Sequence, residues 1–477
     1  MRIVLVHPAG SNWMPGKKDI TATANRMAPL GLLSIAAYLD RKGHAVFVHD
    51  CLGPRAVTGS KANIKKVLDY KPDLVGFSAT TSGFLDGYDL AAGIKTADPA
   101  IQTVFGGVHI SAMGGVLLED FEKIDYLIQG EGELTLAELA AGEDPQNIPG
   151  LIRRHDGEVI TTNPPRTNIP DMDSLPFPAY EKLEGFPKGY NLPLFSYILA
   201  PGATMTTSRG CPYQCSYCDR SVFKRGYRYN SAEYIYEHMK HLRTRFGVRH
   251  INIYDDLFTA NRDRITRLCD LLTAGPLGMQ FNCAVRVGHA DNELLEMLKD
   301  AGFLQLSVGI ETGDPDLLKT HKSGVGLDEV RDTVRRIQAK GLRAKGLFMM
   351  GLPGETVESA RKTSDFVMSL GLDDMNMSKF TPFYGAPVWK TIFEEGEFDY
   401  DWRKMNCLNF VFVPKGIDSK ETLDQLYNTH VKRFYSDPEW RRKFRNRIWE
   451  HRRSIWYGLK HLPTFIAAKN SFEPAKE

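Results

Sequence analysis

The sequence has no run of about 18 apolar residues, the length that a helix needs to cross a bilayer. Charge of one sign is also missing, because 60 Lys and Arg face 58 Asp and Glu and leave a net charge of +2. This balance provides no long-range field for nucleic acid. Cysteine is scarce, with seven in 477 residues, and an odd number argues against the disulfide framework of a secreted protein.

The N-terminus has only a short apolar run before Pro8 and no small-residue cleavage site, so no signal peptide is expected. We therefore expect a cytoplasmic protein with reduced thiols, no transmembrane segment and no nucleic-acid partner. Hydrophobic residues make up 42% and charged residues 25% of the chain, which is typical of a globular protein. The length predicts two or three domains.

Residues 1–145 alternate short apolar runs with amphipathic stretches, the pattern of an α/β, doubly wound, Rossmann-like domain. In such sheets ligands bind at the carboxyl ends of the strands. Small and hydroxyl-bearing residues follow these ends, namely Ser78, Thr80, Gly106, Gly107 and Gly130. We expect a flat ligand to lie close to the backbone there.

The rest of the chain divides into three further segments. Residues 146–202 are a proline-rich connector, in which the turn pair Asp156-Gly157 predicts a small β-hairpin. Residues 203–395 contain six β/α units, which predict a partial (β/α)6 TIM-like barrel with its chemistry at the strand ends. Residues 396–477 lack this alternation, and we expect a helical C-terminal domain.

Three cysteines follow the first predicted barrel strand with the spacing C-x-x-x-C-x-x-C. Cys211, Cys215 and Cys218 can ligate three irons of a 4Fe-4S cubane and leave the fourth iron open for another ligand. A structural zinc site is the alternative, but zinc usually takes four closed ligands, and no second C-x-x-C or nearby histidine completes that set. The spacing therefore favours a cluster with one open iron.

This triplet, with an aromatic residue before its third cysteine, resembles the signature of the radical S-adenosylmethionine (SAM) superfamily. The segments Gly309 to Gly313 and Gly346 to Thr356 follow in the order of further motifs of that family. The resemblance implies that Tyr217 packs against the adenine of SAM and that the protein is an enzyme.

The resemblance also implies roles for strand-end residues of the barrel. Gly309 and Glu311 would face the cofactor, and Met350 and Gly351 would back its adenine. Asp255 resembles the acidic strand end that lies beside cofactor or substrate. Arg286 ends the third strand and either contacts the carboxylate of SAM or forms a simple ion pair. The candidate catalytic residues are Glu311, Arg286 and Asp255.

The N-terminal domain resembles the cobalamin-binding module that precedes the barrel in a large subclass of this superfamily. Methylthiotransferases also carry an α/β domain there, but theirs supplies three further cysteines, and here only Cys51 is available. The D-x-H-x-x-G loop that provides a lower cobalt ligand is absent, so that ligand stays open.

The resemblance implies contacts between cobalamin and the strand-end loops of this domain. His109 either touches the corrin or is an ordinary loop histidine. The candidate cobalamin-binding residues are Ser78, Thr80, Gly106, Gly107, His109, Gly130 and Glu131.

Residues 440–460 are basic and carry tryptophans at near-helical spacing, among them Trp440, Trp449 and Trp456. Such a helix can lie on an anionic membrane surface. The alternative is a helix packed on the barrel with a solvated basic face. Peripheral contact with the inner membrane face, and an apolar or lipid-like substrate, are expectations that depend on the first interpretation.

The resemblance as a whole implies a cobalamin-dependent radical SAM enzyme whose cofactors are a 4Fe-4S cluster, SAM and cobalamin. With an electron from ferredoxin or flavodoxin it would cleave SAM to a 5'-deoxyadenosyl radical and methylate an unactivated carbon. Oxidative cyclisation or ring rearrangement, as in the anaerobic magnesium-protoporphyrin cyclase family, is a second hypothesis. A cobalamin or cluster sensor without turnover is the third, and release of 5'-deoxyadenosine would exclude it.

Overall fold

The protein is described from a computed structural model, which covers residues 1–10, 26–54, 56–57, 59–155, 159–190, 192–193, 195–224, 226–322 and 324–460. The predicted Asp156-Gly157 turn and residues 461–477 of the C-terminal segment lie outside the described residues. None of the helices in these ranges is long and apolar enough to cross a membrane.

The N-terminal part is an α/β unit, as predicted. Its elements are β1 Arg2–His7, α1 Leu30–Arg41, β2 Ala45–Asp50, α2 Ser60–Asp69, β3 Leu74–Ser78, α3 Phe84–Ala97, β4 Gln102–Gly106, α4 Val108–Met113, α5 Val116–Asp120, β5 Tyr126–Ile128, α6 Gly132–Ala140, β6 Leu151–His155 and β7 Val159–Thr162. The sheet order is β2-β1-β3-β4-β5-β6-β7. Ile3 to Val6 are at most 1% exposed, because helices cover both faces of a central parallel strand.

The predicted hairpin in the connector is part of this first sheet. Strands β6 and β7 pair antiparallel with each other, and β6 pairs antiparallel with β5. The sheet therefore extends past residue 145, and the proline-rich segment that follows it forms the passage to the second sheet.

The second sheet is an open half-barrel. Its region contains β8 Gly202–Met205, β9 Ser208–Arg209, β10 Arg228–Tyr229, α7 Ala232–Phe246, β11 His250–Ile253, α8 Arg262–Ala274, β12 Gln280–Val285, α9 Asn292–Asp300, β13 Phe303–Glu311, α10 Pro315–His321, α11 Leu327–Ala339, β14 Arg343–Met350, α12 Val357–Ser369 and β15 Asp374–Lys379. Six parallel strands follow one another in chain order, β8-β11-β12-β13-β14-β15. This confirms the predicted partial barrel.

The C-terminal segment is mainly helical, as predicted, but it begins with a short hairpin that the sequence pattern did not reveal. Its elements are α13 Ile392–Glu395, β16 Gly396–Phe398, β17 Phe412–Pro414, α14 Lys420–Ser436, α15 Pro438–Asn446 and α16 Arg452–Lys460. Helix α14 runs along the edge strand β15, where Asp424 accepts from Lys379 at 2.6 Å and the Tyr435 hydroxyl donates to Asp374 at 3.0 Å. Helix α15 packs at the base of the half-barrel.

The basic helix divides into a packed half and an exposed half. The indole N–H of Trp440 donates to the Asp373 carbonyl at 3.0 Å, and its ring stacks on Phe444. Trp449 and Trp456 are 79% and 71% exposed. The first half thus matches the packed alternative, and only the second half is available for a surface contact.

Candidate active site between the two sheets

The three motif cysteines share one cavity at the carboxyl ends of the half-barrel strands. Cys211, Cys215 and Cys218 line a cavity of about 430 Å³. Burial raises the pKa of Cys211, and burial with the neighbouring Cys215 thiol and the Glu311 carboxylate raises that of Cys218 to about 12. Thiols of this kind are protonated at neutral pH and lose the proton when they ligate a metal.

Within the described ranges, no three His, Cys, Asp or Glu side chains are arranged to hold a metal ion. The assignment of Cys211, Cys215 and Cys218 to a cluster therefore depends on their spacing, their common cavity and their donor chemistry, since soft thiolates are the ligands that iron-sulfur clusters take.

The aspartate pair after β11 splits into two roles. Asp255 is buried and accepts hydrogen bonds from the backbone N–H and the hydroxyl of Thr207, both at 2.5 Å. It anchors the chain that leads into the cysteine loop and does not line the cysteine cavity. Asp256 does line it, and accepts from the Gly210 N–H at 3.0 Å. The structure therefore brings Asp256, which the motif comparison missed, to the place expected for Asp255.

Glu311 lies in the cysteine cavity, as expected, and is held by a lysine. Its carboxylate accepts from Lys322 Nζ at 2.8 Å, and the same ammonium donates to the Gly309 carbonyl at 2.6 Å. Glu311 has φ of +72°, a conformation that non-glycine residues rarely adopt and that is enriched at functional sites. Lys322 comes 11 residues later in the chain, and no motif pointed to it.

The other candidates of the barrel fall on two sides of this cavity. Tyr217 lines it, and so does Arg286, whose guanidinium lies 3.5 Å from the ring centroid of Tyr213. Met350 is 2% exposed and belongs to the core, and Gly351 donates its N–H to the buried Glu355. These last two residues stand behind the cavity wall, where Leu347 is the strand residue that faces inward.

A second cavity, of about 270 Å³, follows the strand ends of the first sheet. Ser78, Gly106, Gly107, Gly130 and Glu131 line it, as predicted, together with proline-rich connector residues. An added Cβ would meet no atom nearer than 3.9 Å at Gly106 and 3.8 Å at Gly130. Side chains at these glycines would therefore project into the cavity, which is the open cradle that a ligand lying against the backbone requires.

The two cavities meet. Val222, Phe223 and Asp256 line both the cysteine cavity and the crevice of the first sheet. Residues 16–140 match the B12 binding domain, and residues 205–367 match the radical SAM superfamily. The chain belongs to the cobalamin-binding radical SAM enzymes. Its cofactors are accordingly a 4Fe-4S cluster, SAM and cobalamin.

Several known proteins match this chain over most of its length. An uncharacterized methyltransferase of Pyrococcus horikoshii is 29% identical over 447 residues, which cover 92% of this chain and 93% of the relative. The anaerobic magnesium-protoporphyrin IX monomethyl ester cyclase of Rubrivivax gelatinosus is 25% identical over 448 residues, 91% of this chain and 77% of the cyclase. The solved structure of the radical SAM methyltransferase TsrM of Kitasatospora setae superposes with a TM-score of 0.65 at 21% identity, covering 82% of this chain and 74% of TsrM.

The crevice of the cobalamin-binding domain also contains a buried polar side chain that a ligand could satisfy. His238 on α7 is 2% exposed, lines the crevice, and has no hydrogen-bond partner at either ring nitrogen among the described residues. A buried imidazole without partners is costly unless a ligand or water satisfies it. Sequence reasoning missed His238, although its spacing of four residues from Tyr234, another crevice residue, places both on one helix face.

Two of the predicted cobalamin contacts lie elsewhere in the structure. Thr80 is exposed and does not line the crevice. His109 is 1% exposed and packs against Phe84 and Trp402, while its Nδ1 lies 3.2 Å from the Thr81 hydroxyl. Burial lowers the pKa of His109 to about 4, so this imidazole is neutral. His109 lies on the short helix α4 and does not line the crevice.

A buried ion-pair network joins the cobalamin-binding domain to the cysteine loop. Arg209, two residues before Cys211, pairs with Glu131 and with Glu133, each at 2.6 Å. Arg228 pairs with Glu131 at 3.0 Å. Glu131, proposed from its strand-end position to contact cobalamin, is therefore occupied by two guanidinium groups. We call Arg209, Arg228, Glu131 and Glu133 the interdomain clamp.

We expect Arg209→Gln to destabilise the protein by about 3 kcal/mol, because removing one partner of a buried pair leaves uncompensated charge. Burial alone would raise the pKa of Glu133, but Arg209 and the Ser34 hydroxyl lower it below its usual value. The stability from this pairing is thus present above the usual carboxyl pKa and is lost as the pH falls through the lowered one.

Without Arg209 the buried Glu133 should take up a proton more readily, so the difference between variant and unmodified protein should shrink between pH 7 and pH 5. Thermal unfolding at both pH values measures this. Arg267→Gln is the matched control, because Arg267 pairs with Glu233 where both side chains are more than half exposed, and it should change the midpoint little. Equal effects of the two substitutions would contradict the clamp.

Proposed function

We propose that the chain is a cobalamin-dependent radical SAM methyltransferase that acts on an unactivated carbon. The observation that carries this proposal is that Val222, Phe223 and Asp256 line both cavities, so that groups bound in the two cavities would lie next to each other. When bound, the cluster, SAM and cobalamin supply a carbon radical by reductive cleavage and a transferable methyl group.

The residues of this chain bind and orient these groups. Cys211, Cys215 and Cys218 hold three irons. Glu311, fixed by Lys322, presents a carboxylate to the open side of the cysteine cavity, where it suits the ammonium of SAM. Tyr217 supplies an aromatic wall. Holding several groups in one orientation is the main contribution that a protein makes to cofactor chemistry of this kind.

Deuterium labelling of the SAM methyl group tests the proposal. The holoenzyme, reduced under anaerobic conditions, should form 5'-deoxyadenosine and S-adenosylhomocysteine, and a product 17 Da heavier than a substrate should appear, since a trideuteromethyl group replaces hydrogen. Formation of 5'-deoxyadenosine with a product that gains no deuterium would contradict methyl transfer.

That same outcome would support the second candidate, oxidative cyclisation or ring rearrangement, which is favoured by the 25% identity to the magnesium-protoporphyrin cyclase of Rubrivivax gelatinosus over 91% of this chain. Product analysis separates the two reactions. A sensor without turnover would release no 5'-deoxyadenosine.

The electron donor and the location follow from the same proposal. A ferredoxin or flavodoxin would reduce the cluster, and the enzyme would work in the cytoplasm, where thiols stay reduced. Peripheral contact with the inner membrane face through residues 440–460 is proposed only for the exposed half, where Trp449 and Trp456 lie near Arg452 and Arg453.

A further inference from the structure

The inner face of the half-barrel is polar. Residues that alternate with the inner positions face the helices and are buried and apolar, as with Ile251, Leu306 and Ala344. The inner positions read across five adjacent strands in register as Thr204, Asn252, Asn282, Gln305 and Arg343. TIM-type barrels usually fill this space with branched apolar side chains, so this half-barrel encloses a polar lumen.

The lumen stays polar toward the cysteine cavity. The next inner positions along the strands include Tyr254, Ser307, Lys345 and Asn376. Tyr254 is 44% exposed although it lies on the inner face, and Asn376 is exposed as well. Tyr254 lines the crevice of the cobalamin-binding domain, and Lys345 and Asn376 line a cavity at the base of the half-barrel.

Several lumen groups have no hydrogen-bond partner. Thr204 Oγ1 and Asn282 Oδ1 are buried without one among the described residues. Gln305 is 4% exposed and lines a cavity of about 480 Å³ at the base together with Lys345 and Asn376. A buried polar group left unsatisfied costs about 1–3 kcal/mol, so the lumen is suited to a ligand that supplies hydrogen bonds.

An apolar ligand would be unfavourable in the same space. Lys345 and Asp374 form an ion pair at 2.9 Å that lines the basal cavity. Covering this pair with hydrocarbon would remove its water without replacing the lost hydrogen bonds, which costs several kcal/mol. In addition, Trp440 of the basic helix, which suggested an apolar substrate, packs against the barrel.

We propose that the substrate is a hydrophilic small molecule with several hydroxyl, amide or carboxylate groups, whose polar end binds in the lumen against Gln305, Ser307 and Asn376. Its reacting carbon would point toward the cysteine cavity. This inference rests on the proposed function and replaces the apolar or lipid-like substrate expected from the C-terminal helix.

The test uses the reduced holoenzyme with trideuteromethyl SAM and the two phases of a total cell extract, aqueous and chloroform, as probes. We expect the aqueous phase to raise 5'-deoxyadenosine formation at least threefold over the extract-free reaction, and the chloroform phase to leave it unchanged. Failure of the aqueous phase to stimulate would overturn the proposal, whatever the chloroform phase does.

The deuterium label keeps the two conclusions separate. Stimulation by the aqueous phase without a deuterated product would contradict methyl transfer and leave the hydrophilic substrate standing. A deuterated product found only with the chloroform phase would support methyl transfer and overturn the hydrophilic substrate.

A substitution in the lumen tests whether the compound that stimulates 5'-deoxyadenosine formation binds there. Gln305→Leu should raise the amount of aqueous phase needed for half-maximal stimulation by about 3- to 10-fold, the loss of one or two hydrogen bonds. Iron content and corrinoid binding report whether the variant is folded. Gln425→Leu, at an exposed position of α14, is the matched control and should behave like the unmodified enzyme. Equal half-maximal amounts for both variants would contradict binding in the lumen.

Discussion

Replacement of Cys211, Cys215 and Cys218 by alanine is expected to remove the absorbance near ~400 nm of thiolate-bound cubanes and about four irons per chain after reconstitution. SAM cleavage should fall to background, because no open iron remains to bind SAM. The three thiols line one cavity and face Glu311, so no other described thiol is placed to substitute for them.

Cys269→Ala provides the control for this experiment. Cys269 is 2% exposed and lies on α8 in the core outside the sheet. This substitution also replaces a cysteine by alanine, but it should keep the iron content and the absorbance. A triple variant that still cleaves SAM would rule out the cluster assignment.

Substitution of Gly106 by leucine should weaken cobalamin binding without changing the iron content of the cluster site. The nearest atom to a Cβ added at Gly106 would lie 3.9 Å away, an ordinary van der Waals contact. The fold therefore accepts a side chain there, but the side chain would occupy the crevice. Overpacking costs about 1–3 kcal/mol, which corresponds to a dissociation constant for hydroxocobalamin that is roughly 5- to 150-fold larger. Spectroscopic titration with hydroxocobalamin measures it.

Gly326→Leu is the matched glycine substitution, since an added Cβ there meets nothing within 4 Å and the residue lies before α11, far from the crevice. It should bind hydroxocobalamin as the unmodified chain does. If Gly106→Leu binds equally tightly, cobalamin does not lie against the strand-end glycines.

The strands and the cysteine site could be predicted because their signals are local. Buried parallel strands appear as short apolar runs, and the three thiols lie within eight residues of each other. The side-chain roles after β11 were harder to predict, since Asp255 accepts from Thr207 and Asp256 from Gly210, and the motif does not say which of two adjacent carboxylates lines the cavity.

Contacts between distant segments could not be predicted from the sequence. Lys322 reaches Glu311 from the far end of α10, and Arg209 meets Glu131 across 78 positions of the chain. The pairing of β6 with β5 likewise could not be predicted, because it requires knowing that β5 is at the edge of the first sheet and open to a further strand. The packing of Trp440 on the barrel was one of two interpretations of the helical pattern, because the pattern indicates which face of the helix is apolar but not what that face contacts.

The interdomain clamp has a consequence for how this protein can be recombined with its relatives. Each half contributes charges of one sign, with Glu131 and Glu133 from the cobalamin-binding domain and Arg209 and Arg228 from the radical SAM domain. A chimera that takes one half from a relative without the matching residues would bury two carboxylates or two guanidinium groups unpaired. A chimera joined in the connector between the two domains is therefore expected to be stable only if the relative has matching charges at the four positions of the interdomain clamp.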